Sequence, residues 1–401
     1  MDGAAAGHDV DGTHLTIRHP VKKDRQYTLA LTYAGTPRTA PAPSTRSDFT
    51  QGVGWSISDD HETSTLQEPY GAFTWYAVND QPSDKALYDF TLTVDAPWQG
   101  VANGESTKST EAGGRTTNRW HLAEPASSYL VTVAFGDYRR TDLKSAGGVP
   151  IQVWAPADGE ALPGGTGTAP AAIDWLEKIL GPYPFDTFGI VVVDNDSGME
   201  TQTMVTLGDT DYSLSPEVVV HEAAHHWYGD TVTPADWSDV WMNEGMAMYL
   251  QGMWEAEQEG VPVADKMDQW ADFEASLRAS AGPPAAYDPK QFGDGNIYYG
   301  PALMWQEPAR AARRPEVLRG AARVAGRAGE RQRRPPGVLG LDREDHGRGG
   351  SRASSTPGCW ASRPRARLTA LPSSPSAPTG TRSSLRGCAC APSPLRPVPS
   401  P

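Results

Sequence analysis

The sequence predicts an α+β chain in three parts: an antiparallel β-rich domain over residues 1–145, a helix-rich domain around a buried strand over 146–305, and a disordered tail over 306–401. Three observations predict this. Residues 14–135 hold short runs in which apolar and polar side chains alternate, the period of half-buried strands. Beyond 155 the period becomes helical, around the short apolar run FGIVVV at 188–193. At 306 the composition changes: residues 1–305 carry 17 Lys+Arg against 43 Asp+Glu, whereas 306–401 carry 18 Arg, no Lys and 6 acids.

In the first part, strands are expected at 15–17, 27–33, 87–94, 119–122 and 129–135, separated by turn-rich pieces such as 40–47 and Gly113-Gly114. The Gly/Pro-rich stretch 155–170 ends that regime. A helix is expected over 170–180, with Ile173, Leu176, Ile179 and Leu180 on one face and Gly181-Pro182 stopping it. The run 188–193 reads as a strand buried on both faces. A further amphipathic helix is expected over 263–277, broken by Gly282-Pro283-Pro284.

The chemistry concentrates between Val218 and Glu244. Ser215-Pro216 opens a helix as N-cap and first turn. His221 and His225 are four residues apart, so they share one face and can offer two imidazole nitrogens to one metal. Glu222 lies beside that metal without ligating it, as a general base toward an activated water. The pattern H-E-x-x-H by itself also occurs in ordinary helices. Here Val218, Val219, Val220, Ala223, Ala224 and Trp227 surround it with apolar surface. Between His225 and Glu244 lie eighteen residues, enough to end one helix, turn through Thr233-Pro234-Ala235-Asp236 and bring a second helix back alongside. Glu244 is then the third ligand of one catalytic Zn2+.

These residues resemble the zinc-binding core of the aminopeptidase N family of gluzincin metallopeptidases, especially its bacterial members. His225-His226-Trp227-Tyr228-Gly229-Asp230 continues the first helix as the family does, with His226 where glutamine is usual and read as non-ligating, and Asn243-Glu244-Gly245 matches the second. The resemblance implies an antiparallel β saddle or sandwich domain followed by a thermolysin-like zinc-peptidase domain. It also implies that the family's opening strands lie upstream of Met1.

Further residues follow from the resemblance. Ser197-Gly198-Met199-Glu200-Thr201 is similar to the family motif G-[AG]-M-E-N, with Ser197 and Thr201 departing from it. It implies that Gly198 and Met199 bind substrate and that Glu200 holds the free α-amino group. A carboxylate suits that role, since it pairs with an ammonium and fixes its distance from the metal. Gln67-Glu68-Pro69 is similar to the family's loop into the active site, which makes Glu68 a second amine ligand; by itself a lone Glu before Pro is a common surface loop. Tyr298-Tyr299-Gly300-Pro301-Ala302-Leu303 matches the family's Y-x-[KR]-G-A without its Lys-Gly. Alignment on Ala302-Leu303 selects Tyr298 as oxyanion donor, with Tyr299 the alternative. A phenol can donate to developing negative charge without ionising near neutral pH.

The expected activity is zinc-dependent removal of N-terminal residues from peptides that carry a free N-terminus, with no nucleic acid or membrane as partner. Two rivals share these residues: a metalloendopeptidase with no amine anchor, and an inactive remnant. The tail has no lysine and few aromatics, and it holds all three cysteines, Cys359, Cys388 and Cys390, with fourteen of the prolines. Such a composition suits a disordered segment, and it is also what a shifted reading frame in GC-rich DNA encodes. Residues 1–20 lack the basic start and apolar stretch of a signal peptide, and no apolar run reaches the ~18 residues of a membrane span. As written the chain is expected in the cytoplasm, or exported if its natural start lies upstream.

Overall fold

The computed structural model describes residues 1–11 and 14–311, the side chains of 307–311 excepted, and all of these fall in one compact unit. The chain opens on a hairpin, β1 (Gly7–Asp11) with β2 (His14–Arg18). The expected strand at 27–33 does not form. Those residues make no ladder, and Leu29, Leu31 and Tyr33 are exposed. Alternation marks a strand only where a neighbouring strand accepts its backbone hydrogen bonds, and none lies beside this segment among the described residues.

Seven strands then build two antiparallel sheets: β3 (Gly54–Ile57), β4 (Thr63–Leu66), β5 (Lys85–Asp95), β6 (Gln99–Ala102), β7 (Glu105–Ala112), β8 (Arg115–Ser127) and β9 (Val133–Gly136). One has the order β3-β4-β9-β6 and the other β5-β8-β7. Gly113-Gly114 makes the tight turn between β7 and β8. The expected strand at 129–135 begins instead with a 3-10 turn, Ser128–Leu130, and only its end joins the ladder. Along β8 the alternation is followed side chain by side chain, with Thr116, Asn118, Trp120 and Leu122 buried and their neighbours facing out. Trp120 packs at 5.6 Å against Trp154, in a cluster that also takes in Val191, Val193 and Met204 of the next part.

That next part is a five-stranded mixed sheet: β10 (Tyr138–Lys144), β11 (Pro150–Pro156), β12 (Phe188–Val193), β13 (Gly198–Met199) and β14 (Val205–Gly208), in the order β10-β11-β12-β14-β13. β10 pairs with β11 along its whole length, so the sheet begins at Tyr138, a few residues before the boundary expected at 145/146. β11, β12 and β14 run parallel, and β12 is buried at all six positions. A strand covered on both faces has no polar side to show, which is why its sequence is a continuous apolar run.

Among the described residues five α-helices accompany this sheet: α1 (Ala169–Leu180), α2 (Pro216–His225), α3 (Trp241–Glu259), α4 (Val263–Ala281) and α5 (Tyr299–Ala311). The Ser215 hydroxyl accepts from the Val218 backbone N–H, which caps α2 as its sequence predicts. α4 runs one turn beyond the expected Leu277, since Arg278, Ala279 and Ala281 are good helix formers, and it stops at Gly282-Pro283. Ile173, Leu176, Ile190, Val219, Val220, Tyr249 and Leu250 form the main core. Burying each such aliphatic or aromatic side chain is worth roughly 1.5–3 kcal/mol. α3 lies between α2 and α5, and Gly245 allows the close approach, since a Cβ there would overlap the Pro301 ring. α5 continues through Ala311, so the stretch expected to be disordered from 306 starts as helix; Tyr249 donates to the buried Gln306 amide oxygen at 2.8 Å. The rest of that expected tail lies outside the described residues. Among the described residues no helix is long and apolar enough to cross a membrane.

Candidate active site and metal centre

α2 and α3 bring His221, His225 and Glu244 together at the floor of a cleft of about 270 Å³. The two Nε2 atoms are 3.1 Å apart, and Glu244 Oε2 is 3.5 Å from one and 3.4 Å from the other. These edges are close to the roughly 3.3 Å that separates neighbouring ligands around a tetrahedral ion with bonds of about 2.0–2.1 Å. Outer contacts fix the ring tautomers. Each Nδ1 faces an acceptor at 3.0 Å, the Gln251 side-chain oxygen for His221 and the Tyr228 carbonyl for His225. Each Nδ1 therefore carries the hydrogen, and both Nε2 lone pairs point inward. Two lone pairs at that distance repel unless a cation lies between them, so the donor set fits a zinc-like ion. Gln251 is held in turn, its amide N–H donating to Glu255 at 2.7 Å, and Glu255 pairs with Lys266 at 3.0 Å.

The other expected residues line the same cleft: Glu222, Glu200, Glu68, Gly198, Met199, Tyr298 and Tyr299. Glu200 follows the short edge strand β13, whose Gly198 and Met199 pair with Leu207 and Thr206. A Cβ on Gly198 would sit 2.7 Å from the Glu222 carboxylate, so glycine there leaves room for that side chain. The two departures from the G-[AG]-M-E-N motif are accommodated: Thr201 is buried against the Thr206 hydroxyl at 3.0 Å, and Ser197 donates to Asp48 at 3.0 Å. Glu68, just after β4, brings a carboxylate oxygen within 4.8 Å of oxygens of Glu200 and Glu244. Glu68 Oε1 and Glu200 Oε1 are buried with no hydrogen-bond partner among the described residues.

The two tyrosines separate. The Tyr298 ring stands 6.1 Å from that of His221, and its oxygen accepts from Arg46 at 3.0 Å. Tyr299 packs edge-on against Trp270 and Phe273 at the cleft's margin. His226 lies outside the cleft, fully buried, with Nδ1 2.6 Å from the Tyr183 hydroxyl. Burial, aided by His225, pushes its pKa down to about 3 and keeps it neutral.

A profile of the peptidase family M1 domain matches residues 166–281, the span that holds α1 to α4. The whole fold is similar to that of an M1 zinc metallopeptidase from Deinococcus radiodurans, with 25% identity and a TM-score of 0.71 over 84% of this chain and 76% of that one. Residues 166–281 thus match a peptidase family M1 domain, within a fold similar to that of a solved M1 zinc metallopeptidase. Among curated M1 relatives, aminopeptidase B of Mus musculus is 30% identical over 59% of this chain and 36% of its own length. Aminopeptidase N of Streptomyces lividans is 28% identical over 49% of this chain and 25% of its own length. The matched segment thus spans about a quarter to a third of such relatives. The family's cofactor is zinc, and the two histidines with Glu244 are the residues whose donors suit it.

Electrostatics single out the same place in this M1 fold. Burial raises the pKa of Glu222 and Glu68 well above the usual carboxylate range, with neighbouring carboxylates adding and His225 opposing. Burial likewise pushes Glu200 up to about 7, against the pull of His225. Glu244 goes the other way: burial opposes its charge, but His225 and His221 hold it down to about 2. Three buried carboxyl groups thus resist ionisation around the one carboxylate that the imidazoles keep charged, and a cation placed among them would favour their ionised forms.

Gln251, Arg46 and Asp48 lie outside the motifs that mark the other residues of the site. Gln251 had a usable signal, since it lies seven residues after Glu244 and so two turns along the same face of α3. Arg46 and Asp48 had none, because they lie in a turn-rich stretch about 150 residues before the motif.

Proposed function

We propose that the chain is a zinc aminopeptidase that removes single residues from the free N-termini of peptides. What supports this most is the pair of unpartnered, buried carboxylate oxygens on Glu68 and Glu200, within one amine's reach of the Glu244 carboxylate. A buried carboxylate oxygen without a partner is costly, and a substrate ammonium is the group that repays it. In this reading His221, His225 and Glu244 hold the metal. When bound, zinc supplies a Lewis acid that acidifies water and polarises the scissile carbonyl.

The chain's own residues divide the remaining work. Glu200 and Glu68 grip the amine, so the first peptide bond lies over the metal ligands and no residue extends beyond the anchor. Glu222 takes a proton from the attacking water and delivers it to the leaving amine; its raised pKa suits a group that must hold a proton between the two transfers. Gly198 and Met199 form the edge along which the substrate backbone lies. Tyr298 donates its phenol hydrogen to the carbonyl oxygen as negative charge develops there, a contact of the kind worth about 10²–10³ in rate. Burial holds the Tyr298 pKa well above its ordinary value, with Glu244 adding and Arg46 opposing, so the donor keeps its hydrogen.

The test compares an amino-acid arylamide with its N-acetylated form, in wild type and Glu200→Ala. Losing a charge-assisted contact of about 1.5–3 kcal/mol should cost the variant more than about tenfold in kcat/KM on the free amine and little on the blocked substrate. Efficient cleavage of blocked peptides by the wild type would make it an endopeptidase, and zinc-loaded protein that cleaves neither would be an inactive remnant. The solved M1 zinc metallopeptidase of Deinococcus radiodurans with Tyr-Ser-Ala bound, 26% identical with a TM-score of 0.63, makes short free-amine peptides sensible first substrates.

A further inference from the structure

The loop that precedes β3 enters the cleft with Arg46, the one Arg or Lys among the described residues that line it. Its five N–H groups can be followed almost completely. Nε donates to Asp48 Oδ1 at 2.9 Å and Nη2 to Asp48 Oδ2, so a two-pronged ion pair fixes the plane of the guanidinium. Nη1 donates to the Gly293 carbonyl at 2.8 Å and to the Tyr298 oxygen at 3.0 Å. Four of five donors are engaged, so Arg46 has too little left to act as a receptor for a substrate carboxylate. Burial works against its charge, but the Tyr298 and Asp48 oxygens more than offset this and its pKa is raised.

The loop is tied on two sides. The Ser197 hydroxyl, one residue before the edge strand β13, donates to Asp48 Oδ2 at 3.0 Å. On the other side, the Phe292 backbone N–H donates to the Pro43 carbonyl at 2.9 Å, just ahead of the turn that carries Tyr298. One loop thus links the residue just before β13, the strand leading into Glu200, with Tyr298. A phenol oxygen has two lone pairs and one hydrogen. With Arg46 filling one acceptor site from the loop side, the hydrogen is left to point elsewhere, and a guanidinium on the oxygen makes that hydrogen a stronger donor.

We propose that Arg46 is a positioning residue: held by Asp48 and through it by Ser197, it fixes the Tyr298 phenol so that its hydroxyl hydrogen faces the reacting carbonyl over His221. The proposal rests on the aminopeptidase reading above, in which Tyr298 is the oxyanion donor.

The test is a cycle of Arg46→Met, Tyr298→Phe and the double variant. It is read as kcat and KM on an amino-acid arylamide and as affinity for two ligands, a tetrahedral phosphonate analogue of an amino acid and the free amino acid itself. Arg46→Met should lower kcat by about tenfold or more with KM within about twofold, and weaken the phosphonate but not the amino acid, since the contact strengthens only as the oxygen becomes tetrahedral. In the Tyr298→Phe background the same change should cost less than about twofold, because it acts through a hydroxyl already removed. Should Arg46→Met fail to fold, Arg46→Lys carries the test: one ammonium cannot serve both Asp48 oxygens and Tyr298, so kcat should still fall. An active wild type with an impaired Tyr298→Phe but unaffected Arg46 variants, or with additive losses, overturns the positioning role and leaves the aminopeptidase reading standing. A wild type that neither turns over substrate nor binds the phosphonate overturns both.

Discussion

Replacing Gln251 by leucine removes one partner from the metal site without touching a ligand. His221 is 8% exposed, and its Nδ1 hydrogen goes to the Gln251 oxygen at 3.0 Å. Leucine fills the space but leaves that hydrogen unpaired, at about 1–3 kcal/mol. The metal-free protein can avoid most of this by moving the hydrogen to Nε2, an option closed once Nε2 binds a metal. The penalty therefore falls on binding. Loss of such an outer partner costs about 10–100-fold in metal affinity, or about 1.4–2.7 kcal/mol, which agrees with the hydrogen-bond figure. Competition for zinc against a chelator of known affinity at neutral pH measures it, with metal-free thermal melts as the folding control. Wild-type zinc affinity in a folded Gln251→Leu protein would refute the reasoning, because His221 would then need no outer acceptor.

Zinc content after purification should be close to one per chain in wild type and Glu222→Gln, with the latter inactive, and lost in His225→Ala and Glu244→Gln; a His225 variant with full zinc would remove it from the ligand set. Gly245→Ala should destabilise by roughly 1–3 kcal/mol in a denaturant titration, because the methyl group presses α3 off Pro301 at the foot of α5. An unchanged midpoint would mean that this contact yields freely. Burial lowers the Lys85 pKa to about 8 from 10.5, with Asp230 opposing. The unfolded chain then binds the extra proton between about pH 8 and 10, so this group's contribution to stability rises with pH across that window. Wild type should gain on Lys85→Met over the same range, and a flat difference would contradict the depressed pKa.

The sequence alone determined whatever is periodic or close along the chain. His221, Glu222 and His225 are legible because a helix of 3.6 residues per turn puts positions four apart on one face. Ser215 and Pro216 mark where that helix starts, and eighteen residues suffice for the return that brings Glu244 alongside. The apolar run 188–193 could be read as a doubly covered strand for the same local reason. Where alternation needed a partner to become structure, as at 27–33, the sequence misled.

Tertiary structure decided what depends on distant segments meeting. Alignment favoured Tyr298 over Tyr299 but gave neither a position; in the fold Tyr299 packs against Trp270 and Phe273, and Tyr298 stands beside His221. Glu68 was marked only by the family resemblance, since by itself it is a common surface glutamate before proline; the β sheets bring it, 132 residues ahead of Glu200, to the same buried cleft. Arg46 and Asp48 gave no sign at all. Their chemistry arises only from contacts across some 150 to 250 residues of chain, and no local periodicity encodes a contact of that kind.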